Sequence, residues 1–158
     1  MKTVQGDLLK MAKAGEFDYI FHGCNCFHLM GAGIAKSIAE QFPDAKEADE
    51  TTERGDILKL GDYTAAQVTN DLGEPFWIVN LYTQFQPGAS FEYAALRSAL
   101  DLFLGEAEFD FDNGPVRLGF PLIGAGIGGG DWNEIIKIIE NCLGGFSYLD
   151  VTIVEFKP

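Results

Sequence analysis

Twice in 158 residues an apolar, β-rich run breaks at a glycine-rich turn and passes at once into a helical pattern: "YIFHGCNCFHLMGAGIAKSI" at 19–38 and "LGFPLIGAGIGGGDWNEII" at 118–136. A strand that feeds a helix through a tight turn lays that helix on a sheet face, and the following strand returns parallel to the first. The rest of the chain fits this frame. "KTVQ" opens as a strand, and a short helix follows Gly6. The spacing predicts a strand at 17–24 and a helix at 33–42 with Ile34, Ile38 and Phe42 on one face, ended by Pro43. A polar helix is expected from Asp44 to about Arg54. Strands near 63–69 and 76–82, joined by an Asp-Leu-Gly turn, read as a hairpin. A helix over 90–104 is expected to bury Phe91, Ala95, Ala99, Leu102 and Phe103, and the acidic stretch 104–115 reads as a solvated connection. A strand at 115–123, a helix capped by Asp131 and a closing strand at 149–156 complete the pattern. The class is α/β, a mostly parallel or mixed sheet covered on both faces, and 1–158 is expected to be one domain.

Charge narrows the functions open to such a chain. Against 11 basic residues stand 24 acidic ones, a formal charge of −13, which repels a polyanion and leaves no basic run to displace counterions from nucleic acid. Duplex nucleic acid is not an expected partner. No apolar window is long enough to span a bilayer, and "MKTVQGDLLK" lacks the core of a signal peptide. A cytoplasmic monomer that meets no membrane is expected. Three cysteines fit no disulfide framework and suit a reducing compartment.

His22, Cys24, Cys26 and His28 recur at every second residue, which invites a zinc reading. On a strand, side chains two residues apart stand about 6.5 to 7 Å apart, too far for a tetrahedral zinc with bonds of about 2.3 Å to sulfur. No metal is expected. A cysteine phosphatase needs an arginine six residues after its thiolate, where this chain has Met30 and Ala32. Cys24 and Cys26 therefore read as small apolar residues at the end of a buried strand, and His22 as either a working histidine or one satisfied by a backbone carbonyl.

The glycine loops point to an anion. Each leaves backbone N–H groups unpaired at the start of a helix, and the missing side chains let a phosphate approach closely. Phosphate can then be held without lysine. The second loop spells G-x-G-x-x-G, but the chain ends 29 residues after Gly129, with no room for the second half of a dinucleotide domain, and neither loop is a Walker A motif. Two such loops suggest a diphosphate gripped from both sides.

Six segments in this order, "GDLL" at 6–9, "HGCNCFHLMGAGIA" at 22–35, "FPDA" at 42–45, "GD" at 61–62, "IVNLYTQF" at 78–85 and "FPLIGAGIGGGDW" at 120–132, together resemble the macrodomain family. The likeness is to its small ADP-ribose 1″-phosphate phosphatases, a branch related to ADP-ribosyl-glutamate and ADP-ribosyl-DNA hydrolases. It implies a three-layer fold with about six strands between helices and a small-molecule ligand, ADP-ribose or its 1″-phosphate, in a cleft at the strand ends. Asp7 would accept from the adenine amino group beside the Leu8 backbone, with Phe156 or Val154 covering the base. Cys24, Asn25 and Tyr82 would stand at the strand ends, with Asn25 facing the distal ribose. Met30, Gly31, Ala32, Gly33, Ile34 and Ala35 would line the diphosphate and distal ribose, and Ile123, Gly124, Ala125, Gly126, Ile127, Gly128 and Gly129 would close over the phosphates.

The same resemblance implies a metal-independent phosphatase without a cofactor. His22 is the leading acid or base, His28 its competitor, and the Asn25 amide and loop N–H groups would stabilise phosphoryl charge. Where related hydrolases carry a lysine this chain has Gln84, and where they carry an aspartate it has Gly128; others carry an aspartate after the first loop, where Ala35 and Lys36 stand here. A lysine-dependent route is not implied. A non-catalytic ADP-ribose module and an esterase for O-acetyl-ADP-ribose are the alternatives.

Overall fold

The computed structural model describes residues 1–158. Its elements run β1 (Lys2–Gly6), α1 (Leu8–Lys13), β2 (Tyr19–Cys24), α2 (Gly33–Gln41) and α3 (Pro43–Glu50), then a single 3₁₀ turn at Ile57–Lys59. They continue β3 (Tyr63–Thr69), β4 (Pro75–Tyr82), α4 (Tyr93–Glu106), β5 (Val116–Phe120), α5 (Trp132–Leu143) and β6 (Leu149–Phe156). One six-stranded sheet has the order β1-β6-β5-β2-β4-β3. Every neighbouring pair is parallel except the β3/β4 hairpin. The mixed sheet between helices is the three-layer α/β fold expected.

Alternation along the strands feeds two cores. Phe21, Val79, Leu81, Val151 and Ile153 point to the layer of α4 and α5, while Ile20, Phe76, Ile78 and Val154 point to α1, α2 and α3. Phe21 stacks on Phe120 at 4.3 Å and meets the edge of Phe103 at 5.0 Å, which ties β2, β5 and α4 together. No helix is long and apolar enough to cross a membrane.

Three details differ from expectation. The buried face of α4 is Ala95, Leu96, Ala99, Leu100 and Phe103; Leu102 is 43% exposed, and Phe91 precedes the helix in an isolated bridge to Gln84. Alternating steps of one and three residues keep a helical stripe inside, and Leu102 falls off it. The acidic stretch is not wholly solvated, because Phe109 packs edge-on against Tyr19 at 5.6 Å. The polar helix α3 ends at Glu50 and buries Asp49.

Because Phe21 is fully buried between two rings and both flanking strands, Phe21→Ala is expected to cost about 3 to 5 kcal/mol. Urea denaturation checks this, and a loss under about 1 kcal/mol would show that the stack contributes little.

Candidate functional site

Parallel β2, β4 and β5 end at one edge of the sheet, where their loops cannot close directly onto a neighbouring strand. A cleft of about 470 Å³ opens there. Of the expected residues, Cys24, Asn25, Met30, Gly31, Ala32, Gly33, Ile34 and Ala35 line one side, and Ile123, Gly124, Gly126, Ile127 and Gly128 line the other. The structure brings these together. Thr83 and Gln84 form part of the floor between them. Ala125, Gly129 and Tyr82 do not line the cleft.

The first loop meets α2 at Ala32, an N-cap whose side chain accepts nothing, so the first-turn N–H groups face the cleft without a side-chain partner. α5 differs: its N-cap Asp131 accepts from the Asn133 N–H at 2.9 Å, as the capping pattern predicts. In the second loop Gly129 donates to the Gly126 carbonyl and Gly130 to that of Gly124, while the N–H groups of Gly126, Ile127 and Gly128 take no partner. Gly124 holds φ at 74°, and a β-carbon there would lie 2.5 Å from the Phe91 ring. Only glycine fits both demands. Across the cleft, a β-carbon on Gly33 would stand 3.9 Å from Ile127 Cδ1, so the two loops all but meet.

Asn25 is spent mainly on its own loop. Its Oδ1 accepts from the N–H groups of Phe27 at 2.9 Å and Leu29 at 3.4 Å, and its Nδ2 donates to the Leu29 carbonyl at 2.8 Å. One amide hydrogen is left for the cleft. Asp7 caps α1, with Oδ1 accepting from Leu9 and Lys10, and Leu8 is buried in the core. Both lie outside the cleft walls, but Phe156, paired in register with Gly6 at the end of β6, stands beside the Asp7 turn and is 65% exposed. Val154 is interior.

Neither histidine reaches the cleft wall. His22 is fully buried beneath it, and its Nε2–H donates to Asn80 Oδ1 at 2.6 Å, an orientation set by Asn80 Nδ2 donating to the Ala45 carbonyl and Thr64 Oγ1. The chain continues from Thr64 to the Tyr82 hydroxyl, which donates to Asp49 Oδ1 at 2.7 Å. Burial pushes the His22 pKa down, against the smaller upward pulls of Asn80 and Asp49. His28, at φ 59°, bonds Thr52 Oγ1 at 3.0 Å, where Lys59 also donates. Burial raises the Tyr82 hydroxyl pKa and drives the Cys24 thiol well above its ordinary range, so neither is poised as a nucleophile. The cleft wall carries no histidine, carboxylate or cationic side chain. No three His, Cys, Asp or Glu side chains lie together in a way that would hold a metal ion.

Residues 21–139 match the Macro domain family model. The chain belongs to the macrodomain family. It is 40% identical over its whole length to a 17.5 kDa protein from the tk-vs intergenic region of Enterobacteria phage T4, covering 97% of that protein. Among solved structures, the macrodomain of Mycobacterium tuberculosis DarG superposes with a TM-score of 0.74 at 23% identity, covering 100% of this chain and 98% of the other. Thermosipho africanus DarTG in complex with ADP-ribose gives 0.72 at 18% identity, covering 97% of this macrodomain and 40% of that chain. A Trypanosoma brucei macrodomain in complex with ADP-ribose gives 0.57 at 18%, covering 98% and 62%.

The buried network under the cleft, Asn80, Thr64, Asp49 and Lys59, was not among the expected site residues. The signal was an asparagine inside "WIVNLY", a polar residue in an otherwise apolar strand. His22 sets a pH dependence. The unfolded chain takes up a proton on this residue near pH 6.5 while the folded chain resists it, so stability falls as pH drops below about 6.5 toward the lowered folded pKa. Urea denaturation at pH 7 and pH 5 is expected to show this loss in the wild type and a smaller loss in His22→Gln; equal losses would assign the dependence to other groups.

Proposed function

We propose that the cleft binds ADP-ribose, and that binding is the activity its geometry supports best. The observation that carries the reading is two sets of unpartnered backbone N–H groups, from the start of α2 and from Gly126–Gly128, facing one another across a gap lined by uncharged side chains. Such groups hold a diphosphate without lysine. The Trypanosoma brucei macrodomain and Thermosipho africanus DarTG, both solved in complex with ADP-ribose, support the choice of ligand. The resemblance implies an adenine subsite at Asp7 and Phe156, and Phe156 pairs in register with Gly6, the residue before Asp7.

Hydrolysis of ADP-ribose 1″-phosphate is the second reading, favoured by the resemblance to the phosphatase branch. Loop N–H groups and the uncommitted Asn25 hydrogen would stabilise phosphoryl charge during in-line attack by water. The proton has no protein acceptor in the wall, since His22 lies beneath it and His28 outside it. His22 then acts as a positioning residue for the end of β2. A lysine and aspartate route is not supported either: a β-carbon on Gly128 would lie 2.9 Å from the Gly124 carbonyl oxygen and 3.2 Å from Gln84 Oε1, which leaves no space for an aspartate.

Calorimetric titration with ADP-ribose and phosphate release from ADP-ribose 1″-phosphate, with and without chelator, separate the readings. Binding with little release, unchanged by His22→Gln, is the expected result. Fast chelator-resistant release that falls about 10²-fold in His22→Gln would instead make the protein a phosphatase with His22 as acid or base. No binding of ADP-ribose would end the reading.

A further inference from the structure

The sheet carries a second recess at its other edge, where the parallel strands begin. Tyr19 lines this recess and Cys24 lines the cleft; they are the two ends of β2, so a rise of about 3.3 Å per residue separates the sites by about 16 Å. The recess is a cavity of about 750 Å³, within the range of ligand pockets. Its walls are the starts of β2, β4 and β5, the end of β3 and the stretch 108–115. Four carboxylates line it, Asp18, Glu74, Glu108 and Asp110, against one cation, Arg117. That cation is already engaged. Arg117 holds both Asp18 oxygens, at 3.2 Å from Nε and 3.0 Å from Nη2, and its Nη1 donates to the Gly15 carbonyl at 2.7 Å. Glu74, Glu108 and Asp110 form no ion pair.

Carboxylates alone describe a solvated surface, but two neighbours point to an occupant. Trp77 stands in register with Tyr19, stacks on it at 6.5 Å, and lines the cavity while packing against neither core. Asn70 is only 8% exposed and also lines the cavity. Its Oδ1 accepts from the N–H groups of Leu72 at 2.9 Å and Glu74 at 3.0 Å, while its Nδ2, beside Gly15, donates to nothing in the chain and is not sealed from solvent. A free donor among carboxylates is of no use to a metal ion or a bare ammonium, neither of which can accept. A cationic peptide satisfies both, its side chain meeting the carboxylates and a backbone carbonyl meeting Nδ2. A planar guanidinium suits this wall better than an ammonium, because it stacks on an indole and pairs with carboxylates through two bonds at once.

The surface beside the cavity favours a protein as the source of that peptide. Phe111 follows the cavity residue Asp110, Tyr148 meets its edge at 5.2 Å, and Phe146 lies 5.1 Å beyond. The Tyr148 carbonyl accepts from the N–H of Val116, another cavity residue, at 2.9 Å, and all three rings are more than a third exposed. An exposed aromatic strip framed by polar residues is the mark of a protein contact.

We propose that this edge of the sheet is a docking site for a partner protein, which inserts an arginine side chain into the cavity and lays apolar neighbours on the Phe111–Tyr148 strip. The guanidinium stacks on Trp77 and is neutralised by the unpaired carboxylates, and a carbonyl of the same segment accepts from Asn70 Nδ2. The site is independent of the ADP-ribose reading.

The test is an amide and indole ¹H–¹⁵N titration of the whole chain with the peptide acetyl-Gly-Arg-Leu-Arg-Gly-amide, in about 0.15 M salt, where charges more than about 8 Å apart are screened. Saturable shifts are expected at the Trp77 indole and the Asn70 side-chain amide, with Gly126–Gly128 unmoved. The peptide with lysine in both arginine positions is expected to bind about fivefold more weakly, and spermidine, which has the charge without the carbonyls, about tenfold more weakly. Glu74→Gln with Glu108→Gln is expected to weaken the arginine peptide about threefold to tenfold. Glu47→Gln with Glu53→Gln, the same change of charge on and just after α3, is expected to leave it within about twofold. All four glutamates are exposed and form no hydrogen bond through their side chains, so both variants keep the fold. No saturable shift at Trp77 overturns the proposal. Equal weakening in the two double variants overturns it as attraction to net charge, and equal affinity for spermidine or the lysine peptide overturns the assignment to an arginine segment.

Discussion

A chain with a formal charge of −13 can hold a diphosphate only where its side chains do not decide the local field. Here that place is the carboxyl edge of a parallel sheet. Strands β2 and β5 end together, each hands over to a helix, and the glycines between leave N–H groups turned outward with nothing of their own to bond. At two positions of the second loop a side chain would intrude: a β-carbon on Gly124 meets Phe91, and one on Gly128 meets a carbonyl. Glycine in this loop serves close packing and open access to the backbone at once.

Holding that edge in place falls to a buried polar chain that never touches the cleft. His22, Asn80, Thr64, Tyr82 and Asp49 pass hydrogen bonds from the end of β2 through β4 and β3 to α3. Each member is buried or half-buried and satisfied, so the network gives a fixed geometry in place of a flexible seam. The neutral imidazole at its start explains why a histidine can sit under an anion site without contributing charge to it. Cys24, at the same strand end, is kept a thiol by the same burial.

Much of the fold was legible in the sequence. Strand and helix order, the hairpin, the Asp131 cap and the two-faced sheet followed from period, proline and glycine. The phase of α4 was not, because a leucine at 102 matched the composition of a buried stripe while the helix geometry favoured Leu96 and Leu100. In the site, the glycine loops were visible because their chemistry is local. The position of His22 was hidden, since its partner Asn80 lies 58 residues away and a histidine near a strand end can point to either face.

The central claim is that backbone amides of two loops, not side-chain charges, receive the ligand's diphosphate. An amide ¹H–¹⁵N chemical-shift titration with ADP-ribose tests it most directly. The account predicts the largest saturable shifts at Gly33–Ala35 and Gly126–Gly128, the amides that have no partner in the unliganded chain. Saturable shifts that leave those six residues unmoved, or no saturable shifts, would contradict it.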